Sequence, residues 1–241
     1  MRTSNPALGS RFERHLSASA GQAAMTVDGT VHKTGFLILL VVLASAVSWT
    51  YADTPLGSLL LFGGLIAGLI LALVTIFKPQ WAVITAPLYA LAEGALLGVI
   101  SRYFDAQYPG LPVYALGLTI GTLLAMLMLY QTGTIKVTAK LRSGVMMATG
   151  AIFLFYLASF VVGFFGISMP LLHSSGPLGI IFSLVIVGVA AFNLLLDFDF
   201  IEKGAEKGAP RYMEWYGAFG LVVTLVWLYL EMLRLLAKLR D

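Results

Sequence analysis

Five acidic side chains stand where an apolar chain has reason to avoid them: Glu93, Asp197, Asp199, Glu214 and Glu231. Glu93 is the most isolated, near the middle of the apolar run that begins at Trp81 and, at about 1.5 Å per helical residue, roughly 18 Å into it. An ionised carboxylate at that depth costs at least about 2.5–3.5 kcal/mol on insertion scales, so it marks an ion path, a proton relay or a hydrogen-bonded structural post. Asp197 and Asp199 close the run Leu194-Leu195-Leu196-Asp197-Phe198-Asp199-Phe200-Ile201-Glu202. Two residues apart on a helix they point about 200° apart, so only one faces the bundle. Asp197, the deeper, is the expected contact for a hard cation such as Ca²⁺, which carboxylate oxygens suit. Asp199 and Glu202 read as a solvated helix end with Lys203 and Lys207 as counter-charges. An aspartate opposes the dipole at a helix C-terminus, which argues for a basic or ionic partner at Asp197. Glu231 precedes Arg234 by three residues, an i,i+3 ion pair. Glu214 opens the last apolar run.

Other chemistries lack their residues. The chain has no cysteine, and His15, His32 and His173 are scattered without ligand spacing. No serine-hydrolase signal and no phosphate-cradling glycine loop is present, so neither an enzyme nor a bound cofactor is expected. The net charge of +3 is small and its basic residues lie in loops and tails, which makes nucleic acid an unexpected partner.

The elements that must position these acids are membrane spans. Hydrophobic residues make up 59% of the chain, charged residues 11%, and the mean hydropathy is +0.90, values far from a soluble domain. A flexible polar tail is expected over residues 1–34, followed by a transmembrane domain over 35–241. Apolar segments at 35–51, 56–77, 81–103, 113–135, 143–166, 176–200 and 214–236 each match a bilayer-spanning helix. The fold expected is an all-α integral membrane protein of seven helices. Lys78, Lys136, Lys140, Arg142, Lys203, Lys207 and Arg211 fall in the tail-side loops, while the opposite loops hold Arg102, which predicts a cytoplasmic N-terminus. An odd span count then puts Arg234, Lys238 and Arg240 outside, a conflict that a half-inserted last helix would resolve. Gly64 with Gly68, Gly94 with Gly98, and Gly117 with Gly121 have the small-xxx-small spacing that lets helices approach closely.

The stretch Leu196 to Ile201, followed by Leu228-Tyr229-Leu230-Glu231-Met232-Leu233-Arg234-Leu235-Leu236, resembles the C-terminal signature of the Bax inhibitor transmembrane family. Arg2-Thr3-Ser4-Asn5-Pro6 and Met213-Glu214-Trp215-Tyr216 resemble its bacterial branch. The resemblance implies seven helices with the last at the centre, and a pH-sensitive calcium leak governed by an acidic pair. Asp197 matches the first acid. Glu231 matches the second in its Leu-Tyr-Leu motif but with longer spacing, and aligning the end of the helix instead puts Thr224 there. Glu93 and Glu214 are the other acids that could complete the pair.

The expected function is a passive cation leak or exchanger for Ca²⁺ in a bacterial inner membrane, gated by protonation of Asp197 and a second acid. Its partners are then the lipid bilayer and calcium ions. The alternative is a non-conducting regulator that binds another membrane protein, such as a quality-control protease, through the tail and glycine-rich faces.

Overall fold

The computed structural model describes residues 24–163, 165 and 174–241. His15, His173 and the first 23 residues of the expected tail lie outside the described residues. Among the described residues there are seven helices: α1 Val27–Tyr51, α2 Pro55–Phe77, α3 Ala82–Gln107 after a 3-10 turn at Pro79–Trp81, α4 Leu111–Gln131, α5 Ala139–Gly163, α6 Pro177–Glu206 and α7 Met213–Arg240. All seven are long and apolar enough to cross a membrane. Successive helices run in opposite directions, so Val27 and Met213 share one end of the bundle and Arg240 lies at the other.

Local chemistry sets the boundaries. The first helix starts eight residues before the apolar run, because Thr26 caps it by accepting from the Gly29 N–H at 2.9 Å. The polar turns that follow bury their own hydroxyls by back-bonding: Thr30 donates to the Thr26 carbonyl and Thr34 to the Thr30 carbonyl, both at 2.9 Å. Prolines at the first turns of α2, α4 and α6 occupy the positions where a missing N–H costs nothing. The turn before α4 takes Gly110 at φ +79°, a left-handed conformation that favours glycine.

Two of the three glycine pairs pack helices. A Cβ added at Gly94 would lie 2.5 Å from the Val41 carbonyl and 2.6 Å from the Ala44 Cβ, and one at Gly98 would overlap Ser48 Oγ and the Ser45 carbonyl. The α1–α3 seam thus runs backbone against backbone, and Ser45 Oγ donates across it to the Gly94 carbonyl at 3.0 Å. Gly64 serves the α2–α3 seam, 2.7 Å from the Ala92 carbonyl by the same measure. Gly117 and Gly121 face open space, contrary to their expected packing role.

The last helix is central. It packs against α1, α3, α4 and α6, while α5 packs on α6, and α2 on α3 and α1. It is also continuous for 28 residues, about 42 Å, longer than the roughly 30 Å hydrocarbon core. The half-inserted last helix is therefore corrected: α7 traverses the bundle and its end packs on the far-side loops. There Arg240 donates to the Pro109 carbonyl at 3.1 Å, and Asp241 accepts from Ser175 Oγ at 2.9 Å and from the Tyr108 hydroxyl.

Candidate functional site

Between α2, α5, α6 and α7 lies a cavity of about 690 Å³ that runs from the Met213 end of the bundle into its interior. Its depth is set by two helical residues at matching heights. Asp197 stands nine residues before the end of α6, about 14 Å in, and Thr224 eleven residues into α7, about 17 Å in. They meet: the Thr224 hydroxyl donates to Asp197 Oδ2 at 2.6 Å. Asp197 Oδ1 lies beside Gly220, where an added Cβ would be 3.7 Å from it, so the second oxygen is left facing the cavity wall.

Asn193, one turn before Asp197, also lines the cavity and donates to Thr149 Oγ1 at 2.8 Å and to the Val189 carbonyl at 2.9 Å. It ties α5 to α6 at the level of the acid. Its signal in the sequence is an amide within an otherwise apolar run. Beyond Asp197 the bundle closes, since Leu194 and Leu228 are fully buried. The cavity is therefore a vestibule open toward one end.

The mouth carries Arg142, Lys203 and Lys207. Asp199, expected to be solvated, is instead 5% exposed and spends both oxygens on them. Its Oδ2 pairs with Arg142 and its Oδ1 with Lys203 at 2.6 Å. Glu202 accepts from the Tyr130 hydroxyl of α4. The helix end was read as solvated because α6 was expected to stop near residue 200. It continues to Glu206, and the extra turns put Asp199 under the start of α5.

The remaining acids do not join Asp197. Glu214, 2% exposed, accepts from the Thr26 N–H and hydroxyl, both at 2.9 Å, and pairs with Lys33. Glu231, 1% exposed, lies about 27 Å along α7. There it accepts from the Tyr156 hydroxyl at 2.8 Å and from Arg234 at 3.0 Å, which is the expected i,i+3 pair with a tyrosine added. Near it Lys238, buried, donates to the Gly179 carbonyl at 3.1 Å and Ser183 Oγ at 2.9 Å. Glu93 is half-buried against Gly68, with the Tyr89 hydroxyl one turn back as its hydrogen-bond partner. Tyr89 in turn packs edge-on to Phe219, a wall of the cavity, with ring centres 5.0 Å apart. Among the described residues no group of three His, Asp or Glu side chains converges as a metal-binding cluster.

At the far end of the bundle, the hydrogen bonds from Tyr108 and Ser175 hold the Asp241 carboxyl below its ordinary value, and the same contact pushes the Tyr108 hydroxyl up.

A family model described as Bax inhibitor 1 like matches residues 5–241, essentially the whole chain. The chain belongs to that family. No curated protein matches it at significant similarity. In this member of the Bax inhibitor 1 like family the α7 group facing Asp197 is a threonine hydroxyl. Among the described contacts none of Glu93, Glu214 and Glu231 is bonded to Asp197.

Proposed function

We propose that this seven-helix membrane protein is a passive, pH-sensitive cation leak, with Ca²⁺ as the carried ion and Asp197 as its contact. One observation carries the reading: in a vestibule reaching about 14 Å into the bundle, Asp197 has one oxygen bound to Thr224 and the other facing the cavity. The other candidate acids, Glu93, Asp199, Glu214 and Glu231, are engaged by hydroxyl, backbone or basic partners. A carboxylate, a hydroxyl and the Asn193 amide oxygen are hard donors of the kind Ca²⁺ accepts, with water completing the shell.

The groups that line the cavity with Asp197 are Thr224, its hydrogen-bond partner, and Tyr216 from α7, Arg142 from α5, Asn193 and Lys203 from α6 and Lys207 just past its end, with apolar Ala72 and Ile76 from α2. Asp199 neutralises two of these cations, Arg142 and Lys203, which lowers the electrostatic barrier at the mouth. Protonation of Asp197 removes the negative charge at the floor and leaves Lys207 and any unpaired basic charge unopposed, so acid suppresses cation entry through this mouth.

Ca²⁺ uptake into proteoliposomes between about pH 5 and 8 tests the reading. Wild-type flux above that of empty liposomes, with a pH dependence lost in Asp197→Asn, supports it. Absence of wild-type flux at every pH overturns it in favour of a non-conducting regulator that binds another membrane protein. The small-residue face of Gly117 and Gly121, left open on α4, favours that second reading.

A further inference from the structure

We propose that residues 24–26 form a strap across the α6–α7 side of the vestibule mouth at the Met213 end, with Met25 as a plug that narrows the mouth and Glu214 as the latch. The strap lies against the mouth by its backbone: Ala24 forms an isolated antiparallel bridge with Pro210, and the Met25 N–H donates to the Ala209 carbonyl at 2.7 Å. The Met25 side chain, 2% exposed, is one of the residues lining the cavity. It sits between α6 and α7 in a seat made by two glycines. A Cβ at Gly204 would be 3.0 Å from Met25 Sδ, and one at Gly217 would be 3.6 Å from Met25 Cε. A side chain at Gly204 would press on the plug, whereas a Cβ at Gly217 would only touch it.

The latch is built from the next residue. Glu214 binds both the N–H and the hydroxyl of Thr26, pairs with Lys33 about two helical turns further along the same face, and has Arg211 at 3.9 Å. Gly29 makes the closure possible, because a Cβ there would come within 2.6 Å of the Glu214 carboxyl carbon. This buried carboxylate clamps the cap and second turn of α1 to the start of α7. Besides Glu214, residues 24–26 are held by the backbone contacts to 209–210, by the seat of Met25 against Gly204 and Gly217, and by the cap that Thr26 forms on α1. The flank between α2 and α5 is lined by Ile76 and Met146, both apolar and exposed, so a bilayer around the bundle would cover it and leave the strap side as the aqueous route to Asp197.

This inference rests on the leak reading for its consequence, and the experiment separates the two. The chain has no cysteine, so Gly220→Cys, which fits beside Asp197 without a clash, is a unique thiol on the vestibule wall. Its labelling by a charged maleimide is timed in lipid nanodiscs, where both ends meet solvent and the bilayer shields the flanks. The expected result is slow labelling with Met25 in place, acceleration of about tenfold or more with Met25→Ala and with Glu214→Gln, and no acceleration with Met25→Leu. Equal rates in wild-type and Met25→Ala backgrounds overturn the strap. Glu214→Gln leaves the plug itself unchanged and so carries the test if Met25→Ala does not fold. Ca²⁺ flux in the same variants reads the other claim: faster labelling with no flux in any variant keeps the strap and overturns the leak, whereas unchanged labelling with wild-type flux keeps the leak and overturns the strap.

Discussion

Gly94→Ala separates packing from pattern. A methyl at Gly94 would sit 2.5 Å from the Val41 carbonyl and 2.6 Å from the Ala44 Cβ, and ordinary contact begins at 3.4 Å. Neither neighbour can rotate away, since one is backbone and the other is fixed to it. The α1 and α3 backbones must therefore separate by several tenths of an ångström, an overpacking cost of about 1–3 kcal/mol. The same movement stretches the bonds from Ser45 and Ser48 to the Gly94 carbonyl, now 3.0 and 3.3 Å, worth about 0.5–1.5 kcal/mol each. Alanine returns about 1 kcal/mol of helix propensity. The balance is a loss of about 1–5 kcal/mol. Gly117→Ala, with nothing within 4 Å, carries the propensity gain alone and is expected to be neutral or stabilising by up to about 1 kcal/mol. Detergent-solubilised protein unfolded by titration with dodecyl sulfate, followed by tryptophan fluorescence, gives both numbers. Equal midpoints for the two variants would refute the close α1–α3 approach.

Thr224→Asp places a second carboxylate against Asp197, and the pH profile of Ca²⁺ flux is expected to resolve into two proton-dependent steps where the wild type shows one, because coupled acids titrate as a pair. A profile that stays single-step would place Thr224 away from the ion path. At the opposite end, Asp241 is held below its ordinary value of 3.8, so its anchoring of α7 is complete above that pH and is lost as pH falls through the lower folded value. Amide hydrogen exchange over residues 236–240 is therefore expected to quicken only at strongly acid pH in the wild type, and to be fast throughout in Asp241→Asn.

Much of this architecture was written in the amino-acid order, because a bilayer leaves few choices. Seven apolar runs of membrane length become seven helices since backbone polar groups have no other partner in hydrocarbon, and local spacing was enough to pair Glu231 with Arg234. Helix ends were harder to read. Threonine back-bonding extends α1 to Val27 through residues that look like a tail, and α6 runs past its acids to Glu206. Tertiary structure alone decided which acids stay open to the cavity. Asp197 and Asp199 are two letters apart, yet one meets Thr224 in the vestibule and the other is consumed by Arg142 and Lys203, an outcome set by the rotation of α6 against α5 and α7. The same holds for the glycine pairs, identical in spacing but either buried in a seam or left open according to which helix lies opposite. Spacing along one helix defines a face, and only the packing of its neighbours determines what that face meets.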